Sequence, residues 1–303
     1  MKVKELKRLL EESEWKLGIL LNGYDDLKAG NINWISNGIY KNKWFADPFI
    51  LDFNDKQITL LVEEFDYSVH RGRIAKLVID RDSWTITDCK IILDLNTHLS
   101  FPMIWREDGH IYVCPENYQS GGWNLYEYKE SANSLEFVKQ ILPEKLTDAT
   151  LFKDGADYYL LSTYEPTPNG SKLSLWKSDS LLGNFSKTEE KSFPENIARN
   201  AGAIFLHEGR LIRPAQECNK SYGHAISFQT VSIKQGQFEF QEEFRYYSTH
   251  PKYQRGTHTF NAYNGLAVID VHKLRFAFLG GLYVGFKNLL VELHLKKPFE
   301  IKL

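Results

Sequence analysis

The chain has 303 residues, 43% of them hydrophobic and 25% charged, with a net charge of -2. That length allows a large core in one or two domains, and the near balance of charge excludes an electrostatic case for nucleic acid or an anionic membrane. Aromatic residues make up 14% and lie in strand-like segments, which suits an aromatic-rich β core and also the ring faces of a sugar-binding cleft. Cys89, Cys114 and Cys218 are odd in number and widely spaced, so neither a disulfide framework nor a zinc motif is suggested.

In chain order, "MKVKELKRLLEESEWKLGILL" lacks the layout of a signal peptide. Its apolar run is short and broken by charges, so no membrane insertion is expected and a cytoplasmic location is. Residues 2–13 read as a short charged helix, and "EWKLGILL" as a spare strand. Beyond about residue 30 the chain alternates short strands and turns. Five segments align: "ADPFILDFNDKQITLLVEEF", "SFPMIWREDGHIYVCPENY", "TDATLFKDGADYYLLSTY", "NAGAIFLHEGRLIRPAQE" and "THTFNAYNGLAVIDVHK". Each is an apolar strand, a turn with Gly, Asn or Asp, and a second apolar strand. The period of roughly 50 residues, with about four strands per unit, predicts an all-β fold: a five-bladed β-propeller over residues 14–303, preceded by the short N-terminal helix. The spare strand is expected to close the ring in the last blade, beside "NLLVELHL".

In a propeller the first strand of each blade lines the central channel, and the end of the second strand lies beside the start of the first. Those positions should gather at one mouth. Blade by blade they are Asp47 with Glu63 and Glu64; Phe101 and Pro102 with Glu116; Asp148 with Ser162 and Thr163; Ala201 and Gly202 with Gln216 and Glu217; and His258 with Asp270 and His272.

An Asp before Pro is ordinarily a turn or cap residue. Asp47 and Asp148, however, occupy equivalent repeat positions on strands that should be buried, where an unpaired carboxylate is costly. Carboxylates converging in a cleft are what cleavage of a glycosidic bond needs. Glu63 and Glu64 are adjacent and face opposite sides of a strand, so at most one faces the channel. Arg199, Arg213, Gln216 and Glu217 can pair with one another or hold a ligand. Ala201 and Gly202 leave either room for a ligand or a close contact between blades. His98 and His258 sit beside strand starts. No histidine pair has metal-ligand spacing, so no metal or cofactor is expected beyond an ion or water on the channel axis near His258.

The ordered motifs "ADPF", "HLSFP", "CPEN", "DATLF", "AGAIF", "RPAQ", "YGHA" and "GTHTFN" resemble a family of five-bladed propellers. That family is related to the N-terminal domain of plant glucosamine inositolphosphorylceramide transferases and occurs in bacterial polysaccharide gene clusters. More distantly the pattern is similar to the glycoside hydrolase clan of arabinanases, xylosidases and invertases. The resemblance implies a carbohydrate context: Asp47 as base or nucleophile, Asp148 as the residue that orients and tunes it, and a Glu as acid. Where that clan has its acid this chain has "NAG", so Glu116 or Glu217 would serve. Glu63, Glu64, His98, Arg199, Arg213, Gln216, Tyr222, His258 and Asp270 are the expected substrate-binding set. The partner is then a carbohydrate or activated sugar. Glycosidic-bond chemistry, transfer or phosphorolysis with an anionic donor held by Arg199 and Arg213, and glycan binding without catalysis all remain open, with cell-surface polysaccharide or glycoconjugate biosynthesis as the setting.

Overall fold

The computed structural model describes residues 12–292. The expected N-terminal helix lies almost wholly outside them, and Ser13, its last residue, opens a strand. The start of the chain gives β1 (Ser13–Leu20), the short helix α1 (Tyr24–Ala29) and β2 (Asn33–Trp34). Blade one is β3 (Lys43–Phe53), β4 (Gln57–Asp66), β5 (Gly72–Asp80) and β6 (Thr85–Leu93). Blade two is β7 (Ser100–Glu107), β8 (His110–Glu116), β9 (Trp123–Lys129) and β10 (Ser134–Leu142). Blade three is β11 (Leu146–Asp154), β12 (Asp157–Tyr164), β13 (Lys172–Ser178) and β14 (Ser186–Ser192). Blade four is β15 (Phe205–His207), β16 (Arg210–Glu217), β17 (Ala225–Lys234) and β18 (Gln237–Tyr246). The end of the chain adds β19 (Phe260–Tyr263), β20 (Leu266–Leu274) and the helix α2 (Ala277–Glu292).

The strands form five four-stranded antiparallel sheets, the fifth in the order β19-β20-β1-β2. The ring therefore closes as expected, but with a different partner. "EWKLGILL" pairs along its length with β20, from Ser13↔Leu274 to Leu20↔Ala267. The run "NLLVELHL" is helical at residues 288–292, within α2, and its remainder lies outside the described residues. The segment Ala277–Glu292 is apolar without period-two alternation and rich in helix-forming residues, so it supplies no strand face. No described helix is long and apolar enough to cross a membrane.

The hairpins follow from the turn residues. Asp108-Gly109, Glu208-Gly209 and Asn264-Gly265 each place two successive residues at positive φ, the twist that two-residue hairpin loops require. A second repeated feature concerns the channel. Asp47, Phe101 and Asp148 have φ of 50°, 43° and 47°. At each, the inner strand slips register against its partner, between Ala46 and Phe49, Ser100 and Met103, and Thr147 and Thr150. These are bulges, which re-aim a side chain at a local cost of about 1–2 kcal/mol for a non-glycine residue.

Blade four has Gly202 at the matching position, with φ 156°. A Cβ there would lie 2.0 Å from the Phe260 carbonyl oxygen of blade five. The small residues of "NAG" thus serve close blade packing and do not make room for a ligand. Gly202→Ala is expected to cost roughly 2–4 kcal/mol, read as a lower midpoint in urea unfolding.

Candidate functional site

The inner-strand starts of the five blades meet through side chains that hold the backbone of a neighbouring blade. Asp270 accepts the Asp47 amide at 3.0 Å and the His258 and Thr259 amides at 3.1 and 3.0 Å. Asp47 accepts the Phe101 amide of blade two at 3.0 Å and the Thr259 hydroxyl at 2.6 Å. Glu116 accepts the Asp148 amide of blade three at 2.9 Å. Asn200 donates to the Asp148 carbonyl oxygen at 2.8 Å, and Asn261 donates to that of Pro48 at 2.9 Å. Carboxylates and carboxamides, one blade to the next, thereby encircle the channel.

Within this ring Asp148 accepts Arg199 Nε at 2.6 Å and Gln216 Nε2 at 2.5 Å. Arg199 also donates to Asn169 at 2.8 Å and Glu116 at 3.3 Å, and it lies over the Tyr222 ring, 5.1 Å from its centroid. His258 Nδ1 faces Asp270 at 2.8 Å and its Nε2 lies 3.5 Å from Asp47. Trp15, delivered by the closing strand β1, stacks between His258 at 3.8 Å and His272 at 4.2 Å.

Burial sets the protonation of the group. It lifts the Asp47 carboxyl to about 6, against the pull of His258 and with Asp148 and Asp270 adding to the rise. Glu63, 5% exposed, is pushed well above the usual carboxylate range, by burial first and then by Asp47, Glu116 and Asp148. Glu116 rises too, through burial and Asp148, against Arg199. Burial lowers the His258 imidazole, but the Asp270 and Asp47 carboxylates outweigh it and the net shift is upward. Burial takes His272 well below its ordinary value, and His258 adds to the fall. Trp15 is thus stacked between an imidazole shifted toward its protonated form and one shifted toward its neutral form, and protonation of His258 would add cation–π attraction.

Glu63 stands apart from the ring. Its Oε1 has no hydrogen-bond partner among the described residues, and it fills space that a Cβ on Gly72 would take. His98 Nδ1 accepts the Gly72 amide at 2.9 Å, and burial lowers this imidazole to about 4. The neutral ring therefore carries its proton on Nε2, which lies 3.4 Å from Glu63 Oε1.

Of the residues singled out in the sequence, Asp47, Asp148, Glu116, Glu63, His98, Arg199, Gln216, Tyr222, His258 and Asp270 come together at this mouth. Three do not. Glu64, on the opposite face of β4, pairs with Lys43 at 2.5 Å and Arg73 at 2.9 Å. Glu217 faces His224 at 2.5 Å and accepts the Asn219 amide, because strand alternation turns it away from Gln216. Arg213 lies inside blade four, donating to Asn200, Gln229 and the Ala198 carbonyl oxygen between Phe193 and Phe240. Sequence reading did not single out Trp15, Thr259, Asn200 or Asn261. Only the pairing of β1 with β20 could have brought Trp15 in.

Asp47, His258 and Asp270 offer ligand atoms within 4.8 Å of one another, the spacing a metal ion needs. Yet His258 is biased toward holding its protons, and both Asp270 oxygens already accept N–H groups. The set suits a proton better than a cation.

Residues 32–281 match the family described as glucosamine inositolphosphorylceramide transferase 1, N-terminal. Glucosamine inositolphosphorylceramide transferase 1 of Arabidopsis thaliana is 30% identical over 210 residues, 66% of this chain and 27% of the relative. That of Oryza sativa subsp. japonica is 27% identical over 205 residues, 65% of this chain and 27% of the relative. The chain spans about a quarter of these relatives' length. Among solved structures, an exo-β-1,3-galactanase from Phanerochaete chrysosporium with β-1,3-galactotriose superposes with a TM-score of 0.53 at 11% identity, over 69% of this chain and 53% of that one. An α-L-arabinofuranosidase from Podospora anserina in complex with cellotriose gives 0.52 at 10% identity, over 78% and 93%. These two show the fold alone.

The Glu63 carboxyl makes a prediction for stability. A raised folded pKa means that the native state holds the proton more tightly than the unfolded one. The group's stabilising contribution is complete below about 4.5 and is lost as pH rises through the folded value. Glu63→Gln removes that loss. Between pH 5 and 8 the variant should show a flatter decline of unfolding free energy than the wild type. At pH 8 it should be at least as stable as the wild type, measured by urea titration at each pH.

Proposed function

The chain belongs to the family of the N-terminal region of glucosamine inositolphosphorylceramide transferase 1, and on that premise we propose that its propeller mouth is a carbohydrate site working at a glycosidic bond, by hydrolysis or transfer. The observation that carries the reading is the separation of two buried carboxyls. Asp47 is held near 6, whereas burial and the neighbouring carboxylates push Glu63 well above the usual carboxylate range. Carboxyls pushed apart in this way are suited to divide base and acid roles.

In this reading Glu63 protonates the leaving oxygen. Asp47, fixed by Thr259 and the Phe101 amide, is the base or nucleophile. Asp148, pinned by Arg199 and Gln216, adds negative potential that favours the proton on Glu63. The acid role thus moves from Glu217, which faces His224, and from Glu116, which is engaged by the Asp148 amide and Arg199. Two propellers of this fold are named as a galactanase and an arabinofuranosidase, which supports carbohydrate chemistry on the scaffold. A place in building cell-surface polysaccharide or glycoconjugate belongs to the same proposal and rests on the family resemblance. An anionic donor loses support, since Arg199 is hydrogen-bonded to Asp148, Asn169 and Glu116 and Arg213 is enclosed in blade four.

A second reading, glycan binding without turnover, is favoured by one observation: Asp47, Glu116 and Asp270 already serve as bridges between blades. A screen of oligosaccharides and nucleotide sugars with product detection separates the two. Turnover should appear, with kcat/KM rising as pH increases through about 6 and Asp47 loses its proton. Asp47→Asn and Glu63→Gln should each lower kcat by about 100-fold or more while remaining folded. Wild-type rates in both variants would overturn the catalytic reading, and binding without turnover in the wild type would establish the second.

A further inference from the structure

Most polar groups around the channel are engaged by the ring between blades; two amides are not. Gln216 is fully buried, and its Nε2 donates to both Asp148 Oδ2 and the Asn200 carbonyl oxygen. Those two acceptors fix which way the amide points, since a flipped amide would set oxygen against oxygen. Its Oε1 is left without a partner among the described residues. Asn117, 1% exposed, has neither Nδ2 nor Oδ1 paired among them. It directly follows Glu116, the last residue of β8, whose side chain reaches the Asp148 amide of blade three. Two residues further on, Gln119 accepts the His98 amide at 3.2 Å, and His98 is the neighbour of Glu63.

Buried amide groups without partners cost about 1–3 kcal/mol each, and buried native polar groups are mostly paired. Unpaired groups beside a cluster of titratable side chains mark where a ligand supplies the missing atoms. Resting on the carbohydrate reading above, we propose that Asn117 and Gln216 form a subsite that reads the hydroxyls of an uncharged glycosyl unit. Asn117 donates to one hydroxyl and accepts from its neighbour on the ring. Gln216 Oε1 accepts from a third. Because Gln216 can only accept there, a ligand carboxylate or phosphate oxygen at that point meets a lone pair. Arg199 is already engaged by two carboxyl groups, so it does not compensate a second anion.

The test uses the whole chain and a fixed set of probes: methyl glucoside, methyl galactoside, methyl arabinofuranoside and N-acetylglucosamine, with glucuronate as the anionic counterpart. Affinities come from calorimetry, and the side-chain NH₂ signals of Asn117 and Gln216 are followed by NMR. At least one neutral probe should bind at least tenfold more tightly than glucuronate and move both NH₂ signals. Asn117→Ala, and the near-isosteric apolar Asn117→Leu as a control for folding, should each weaken that probe about tenfold with the melting temperature retained. A neutral probe that binds both Asn117 variants within twofold of wild type overturns the subsite and leaves the carbohydrate reading standing, as does glucuronate binding equally well. Failure of every probe to bind the wild type removes both.

Discussion

The structure depends on the transfer of hydrogen bonds from blade to blade around the channel. A bulge turns Asp47 inward, Asp270 holds its amide, and Asp47 in turn holds the amide of Phe101. Glu116 does the same for Asp148. Each bulge exposes a backbone N–H that the strand ladder no longer satisfies, and a carboxylate on the neighbouring blade satisfies it. Charge-assisted hydrogen bonds of this kind contribute about 1.5–3 kcal/mol each. They are also why so much negative charge can sit at the centre of a five-bladed ring.

That arrangement separates two kinds of side chain. Asp270, Glu116, Asn200 and Asn261 are engaged by backbone and hold the blades in register. Glu63, Asn117 and Gln216 retain unpaired atoms in the same buried region. Asp47 belongs to both kinds: it bridges two blades, and burial still raises its carboxyl to about 6. The ring supplies fixed geometry and a low dielectric, and together these move the protonation of the remaining carboxyls apart.

Much of this was legible in the sequence. Five hairpins at even spacing gave the blade count, and the equivalence of Asp47 and Asp148 put both at one mouth. What sequence could not resolve was facing and partnership. Glu63 and Glu64 read alike until the register set Glu64 beside Lys43 and Arg73. Arg213 read like Arg199, yet one lies within a blade and the other on the channel. Trp15 stands near the start of the chain and the histidines it stacks on near its end, and only ring closure brings them together. Gly202 read as space, but the Phe260 backbone fills it. In each case a tertiary contact decided the matter, and such contacts leave no local pattern.

Where the ring buries them, the Asp47 carboxyl is raised to about 6 and that of Glu63 well above the usual carboxylate range. Carbon-detected NMR titration of their side-chain carboxyls measures this directly. Asp47 should titrate near 6, and Glu63 well above the ordinary carboxylate value. Midpoints for both at about 4, the ordinary carboxylate value, would contradict it.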